Sequence, residues 1–141
     1  MAGLLCRRII NEPTAAAIAY GVDKKDTKKR LRCVVFDFGG GTLDVSVMSI
    51  LKRTISVVAI AGDTHLGGQD FDNVLMGHCL KKHEEQTGTD LSGDIRAKAR
   101  IRKACNDAKH ELSTATSSTV VVESITQDED LEVDIGLAEF E

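Results

Sequence analysis

The chain has 141 residues, of which 42% are apolar and 28% charged, with one proline. That is the size and composition of one globular domain, and it excludes a disordered or low-complexity chain. A formal net charge of -4 supplies no broad basic field, so nucleic acid and anionic membrane are poor partners. No segment reaches the roughly 18 consecutive apolar residues of a membrane-spanning helix.

The first ten residues place a short apolar stretch before Arg7 and Arg8, the reverse of the order in a secretory signal. Cys6, Cys33, Cys79 and Cys105 form no C-x-x-C pair, so they read as reduced thiols packed as small hydrophobes rather than as zinc ligands. A cytoplasmic location, or a nuclear one, is the expectation. Asn11-Glu12-Pro13 reads as the start of a helix running through the alanine-rich stretch to Tyr20, with Gly21 as its stop. The lysine-rich run Val22 to Arg30 reads as an exposed loop.

From Leu31 the period changes to two. Cys33 to Phe36 is a β-rich run, Gly39-Gly40-Gly41 interrupts it, and Leu43 to Ile50 alternates. A turn at Lys52-Arg53-Thr54 and a third strand over Ile55 to Ala61 complete an antiparallel meander that needs no crossover helix. After the loop Gly62 to Gly68, the positions Phe71, Val74, Leu75, His78 and Cys79 recur at helical spacing until Gly88. Asp94 can cap a second long helix, with a stripe of Ile101, Ala104, Cys105, Ala108 and Leu112 and a basic, solvated face. Thr119 to Ile125 and Leu131 to Ile135 read as a hairpin around the acidic turn Gln127 to Asp130, and Leu137 to Glu141 as the beginning of a helix. With no repeat or linker in view, residues 1–141 read as one piece.

The chemistry concentrates in Asp37-Phe38-Gly39-Gly40-Gly41-Thr42-Leu43-Asp44. Glycines let backbone N–H groups approach an anion closely, so the bend can cradle a phosphate. Asp37 is suited to hold magnesium through its waters. The alternative is a glycine bulge in a ligand-free hairpin. The bend is neither a Walker loop nor a dinucleotide fingerprint, both of which open a helix.

Three stretches, Arg8 to Gly21, Val35 to Ser46 and Ala61 to Asp72, together resemble the nucleotide-binding domain of the seventy-kilodalton heat-shock chaperones. The resemblance implies an α/β, actin-like (ribonuclease-H-like) ATPase lobe built as a β-meander, two long helices and a β-hairpin. It implies ATP binding and hydrolysis coupled to assisted protein folding, with ATP or ADP, magnesium and a potassium-like monovalent cation as cofactors. On that pattern Asp37 lies near the metal and the attacking water, and Gly39, Gly40 and Gly41 cradle the phosphates. Thr42 stands beside the γ-phosphate, Glu12 is a catalytic-centre carboxylate, and Asp44 belongs to the monovalent cation. Read alone, Glu12 is a first-turn carboxylate favoured by the helix dipole and Asp44 an exposed strand residue.

Gly68 matches a glycine close to the nucleotide, and Asn106, Lys109, His110 and Ser113 match adenosine-facing positions. The chain departs from the pattern where Asn106 replaces a glutamate, His110 an arginine and Gln69 an acid. The family's first phosphate hairpin, catalytic lysine, later adenosine motif and peptide-binding domain have no counterpart among these residues. The expectation is therefore a truncated, partial nucleotide-binding domain. Its alternatives are a catalytically weak half-domain that docks on a full-length chaperone or cochaperone, and a non-functional product.

Overall fold

The computed structural model describes residues 3–21, 29–52 and 54–141, and the chain divides into two compact units, Met1–Gly67 and Gly68–Glu141. Val22 to Lys28 of the expected lysine-rich loop, and Arg53 of the expected turn, lie outside the described residues. No linker composition marks the division, because the glycine-rich loop runs directly into a helix.

The first unit begins with α1, Glu12–Ala19, which carries Pro13 in its first turn and is closed by Gly21. Gly21 takes φ 78°, a conformation that costs a glycine little, and its N–H donates to the Ile18 carbonyl at 2.9 Å. Strands β1 (Leu31–Phe38), β2 (Leu43–Leu51) and β3 (Thr54–Asp63) form the antiparallel meander in the order β1-β2-β3. Side chains alternate across the sheet. Leu31, Cys33 and Val35 share a face with Met48 and Ile50, and with Ile55 they pack around Ala17 of α1. Val34 and Phe36 project from the opposite face and remain about two-thirds exposed, at 62% and 66%. Val47 pairs with Ala59 and Met48 with Val57, so Val58 is the extra residue of a β-bulge.

The second unit contains α2 (Gly68–Thr87), α3 (Ile95–Leu112), the hairpin β4 (Ser117–Val122) and β5 (Leu131–Gly136), and the short α4 (Leu137–Phe140). Asp94 caps α3 as expected, accepting hydrogen bonds from the Arg96 amide at 2.8 Å and the Ala97 amide at 3.0 Å. These bonds, that from Ala97 foremost, hold the Asp94 carboxyl below the usual aspartate range. Helices α2 and α3 pack on each other, α3 against β4 and α2 against β5.

The buried stripe of α3 runs through Ala97, Ile101, Cys105, Ala108 and Leu112. On α2 the buried positions are Asp72, Leu75, Met76, Cys79 and His83, whereas Val74 is 76% exposed. Two adjacent stripes on α2 have near-equal apolar content. The faces offered by α3 and the hairpin, rather than the sequence of α2, decide which is covered.

Candidate functional site

In the first unit the site is the end of the β1–β2 hairpin. Asp37 pairs with Asp44 and Phe38 with Leu43, which leaves Gly39 to Thr42 as the turn. The Gly39 N–H donates to the Thr42 carbonyl at 2.8 Å and closes it. Directly paired residues project from the same face, so the two carboxylates stand side by side on the face that α1 covers further along. Asp37 is half-buried, while Asp44 and Thr42 are exposed. Glu12, in the first turn of α1, is exposed.

A second loop of the same unit supports the turn. The Asp63 carboxylate accepts from the His65 amide at 2.8 Å, and Thr64 Oγ1 lies 2.9 Å from His65 Nδ1. These local bonds fold the segment so that Gly67 lies against the turn. A methyl group on Gly67 would sit 2.4 Å from the Gly41 nitrogen and 2.5 Å from the Gly40 carbonyl carbon, so only glycine fits. At Gly41 a methyl group would meet nothing within 4 Å. The turn is backed by Gly67 and open in front.

In the second unit the candidate residues gather on α2 and α3. Lys109 Nζ lies 2.6 Å from Asp72 Oδ1 and donates to the Gly68 carbonyl at 3.0 Å. Asn106 Nδ2 donates to Asp72 Oδ2 at 3.3 Å. Asp72 is 5% exposed, so its charge is offset by a lysine and an amide rather than by water. Ser113 ends α3, with its Oγ 3.5 Å from the Lys109 carbonyl, and both Ser113 and His110 are exposed. Gln69, in the first turn of α2, is exposed as well.

Neither Gly67 nor Asp72 was marked as a site residue by the sequence, though both lie in the matched stretch Ala61 to Asp72. For Gly67 the available signal was the glycine pair it makes with Gly68. For Asp72 it was an acid in phase with Leu75, Met76 and Cys79.

The residues present fit a magnesium-bound nucleotide phosphate. The turn faces open space at Gly41, where a bound anion has room to approach the backbone, and the two carboxylates beside it are hard oxygen donors. Among the described residues no group of three or more His, Cys, Asp and Glu side chains is placed to hold a metal ion. One carboxylate such as Asp37, completed by water and substrate phosphate, is a set that magnesium commonly accepts.

Known proteins resemble the chain along its whole length. A protein-family model described as Hsp70 protein matches residues 1–141. Across all 141 residues the chain is 49% identical to a heat shock protein of Pyricularia oryzae, covering 23% of that protein. It is 48% identical to a ribosome-associated molecular chaperone of Eremothecium gossypii, again over 23% of its length. Identity is also 48% to a putative heat shock 70 kDa protein of Homo sapiens, of which it spans 38%. With a glycine turn flanked by paired carboxylates, a mixed α/β fold of antiparallel strands and helices, and a family match over its whole length, the chain belongs to the Hsp70 family of chaperones.

Proposed function

We propose that this chain binds an adenine nucleotide and takes part in the ATP hydrolysis that drives a chaperone cycle, in the cytoplasm or nucleus. The observation that carries the proposal is the open glycine turn beside Asp37 and Asp44. The amides of Gly40 and Gly41 hold phosphate oxygens, the Gly39 amide being engaged by the Thr42 carbonyl, and the Thr42 hydroxyl donates to the terminal phosphate. Asp37 is the residue that would hold magnesium and orient the attacking water, with Glu12 as a further carboxylate of the catalytic centre. Asp44 would serve a potassium-like cation. Bound magnesium offsets the charge that develops on the transferring phosphoryl group. In the second unit, Gly68, Asn106, Lys109, His110 and Ser113 recognise adenosine, and Asp72 fixes the Lys109 ammonium and the Asn106 amide.

Calorimetric titration with magnesium-ADP and with inorganic phosphate, beside a phosphate-release assay, tests the two parts separately. Asp37→Ala should weaken both ligands tenfold or more, about 1.4 kcal/mol. Lys109→Met should weaken ADP alone. Unchanged binding in the Asp37 variant would remove the hairpin from the nucleotide site.

A second reading is a catalytically weak module that docks on a full-length chaperone or cochaperone, and the exposed Val34 and Phe36 favour it. Its signature is a complex that Phe36→Ser weakens, formed by a chain with background phosphate release. A chain that binds neither nucleotide nor chaperone is a non-functional product.

A further inference from the structure

Cys79 of α2 and Cys105 of α3 are both fully buried, and their sulfurs face each other at 3.9 Å across the helix pair. They belong to the core that the two helices share with the β4–β5 hairpin. Neither thiol enters the proposed chemistry. A stripe of core cysteines needs no function, because a thiol packs as a small hydrophobe. Two thiols in mutual contact on different helices differ from that case, since the contact is the geometry from which a cross-link forms.

We propose that Cys79 and Cys105 are an oxidation site at which a peroxide-class oxidant creates a disulfide joining α2 to α3. The two sulfurs must approach from 3.9 Å to a bond of about 2.05 Å. Either thiol can donate in this contact, and the hydrogen bond between them sets the pair apart, with Cys79 below the ordinary thiol range and Cys105 pushed up. Lys82 reinforces the lowering at Cys79. Whichever sulfur attacks first the disulfide is the same; with Cys79 attacking, Cys105 resolves.

The chemistry balances in two steps. The Cys79 thiolate attacks one peroxide oxygen and breaks the O–O bond, giving a sulfenic acid and, after the leaving hydroxide takes a proton, one water. The Cys105 sulfur then attacks the Cys79 sulfur, the S–O bond breaks, and the Cys105 proton leaves with the oxygen as a second water. Two thiols lose two electrons and one peroxide gains them. Because both sulfurs are fully buried, the first step waits on a local opening between α2 and α3.

The cross-link has a structural consequence. Lys109 lies one turn beyond Cys105 on α3, and its partner Asp72 lies two turns before Cys79 on α2. The same helix pair carries both contacts, and the disulfide would fix its spacing. The oxidation itself does not depend on any nucleotide being bound.

The test treats the full chain carrying Cys6→Ser and Cys33→Ser with hydrogen peroxide, alkylates it under denaturing conditions, and maps its peptides without reductant. Expected are a loss of two hydrogens, a linked Cys79–Cys105 peptide pair, reversal by dithiothreitol, and a higher denaturation midpoint for the oxidised chain. Cys79→Ala and Cys105→Ala should each abolish the linked pair. Mapping in the variant that retains both cysteines decides the matter even where a core substitution fails to fold. Full alkylation of both cysteines after peroxide, or links formed only between chains, would overturn the proposal.

Discussion

At the residue scale a tight demand falls on Gly67, whose backbone lies against the Gly40–Gly41 peptide with no room for a methyl group. Gly67→Ala should therefore part the two loops and cost about 1–3 kcal/mol, the usual range for forced overpacking. Gly41→Ala is the informative contrast, because its methyl group enters open space. It should leave the melting temperature nearly unchanged yet weaken phosphate or magnesium-ADP binding tenfold or more, by filling the cradle. Thermal unfolding beside calorimetry on both variants checks this, and equal ligand affinity in Gly41→Ala would argue against the cradle. The hairpin itself was legible in the sequence, because an alternating run broken by three glycines has few other foldings. The role of Gly67 was not, since the Gly67–Gly68 pair marks a loop but does not say which backbone approaches it.

At the scale of single elements, α3 depends on its first turn. The Asp94 carboxylate satisfies two amides that the helix cannot satisfy itself. Because the folded Asp94 binds a proton less readily than the unfolded one, its contribution is complete above the ordinary aspartate value of about 3.9. The contribution is lost as pH falls through the lower, folded value. Asp94→Ala should lower the denaturation midpoint at pH 7, Asp94→Asn should lower it less, and the parent and the alanine variant should converge in acid. A difference that persists undiminished at pH 2 would mean that packing, rather than the cap, is responsible.

The Asp94 cap was readable in the sequence because an aspartate stood just before a helical stripe. The buried stripe of α2 was less so: Val74 and Met76 are equally apolar in a linear pattern, and contact with α3 and the hairpin selects Met76. Asp72 escaped for a related reason, since an acid in a helix reads as solvated until a lysine from another helix is found beside it.

At the scale of the whole molecule the two units are unequal in core. Among the described residues the second unit gathers fifteen buried apolar side chains, from Leu75 to Ile135, and the first gathers Ala17, Met48 and Ile50. Each buried aliphatic side chain stabilises by roughly 1.5–3 kcal/mol, so the meander should open at lower free energy than the helices and hairpin. Native-state hydrogen exchange should find the amides of β1 to β3 exchanging before those of α2, α3 and β4. Ile101→Ala should cost about 2–5 kcal/mol and accelerate exchange in the second unit while leaving the meander's rates unaltered. Uniform exchange across both units would contradict the division. Family and fold class were legible here because long matched stretches carried them. The boundary at Gly67 was not, because it falls where a loop becomes a helix rather than in a linker.

The strand order β1-β2-β3 also bears on how fast the parts assemble. Each strand of the meander pairs with its neighbour in sequence, so only short loops must close before the ladder forms. In the second unit Lys82 reaches Asp134 and Glu139, 52 and 57 residues further along the chain, and that contact waits for α3 and the hairpin to be in place. Local pairing is fast and distant pairing slow. During synthesis the β1–β2 hairpin can therefore close while the second half is still being made, so the weaker of the two units is the one that forms first.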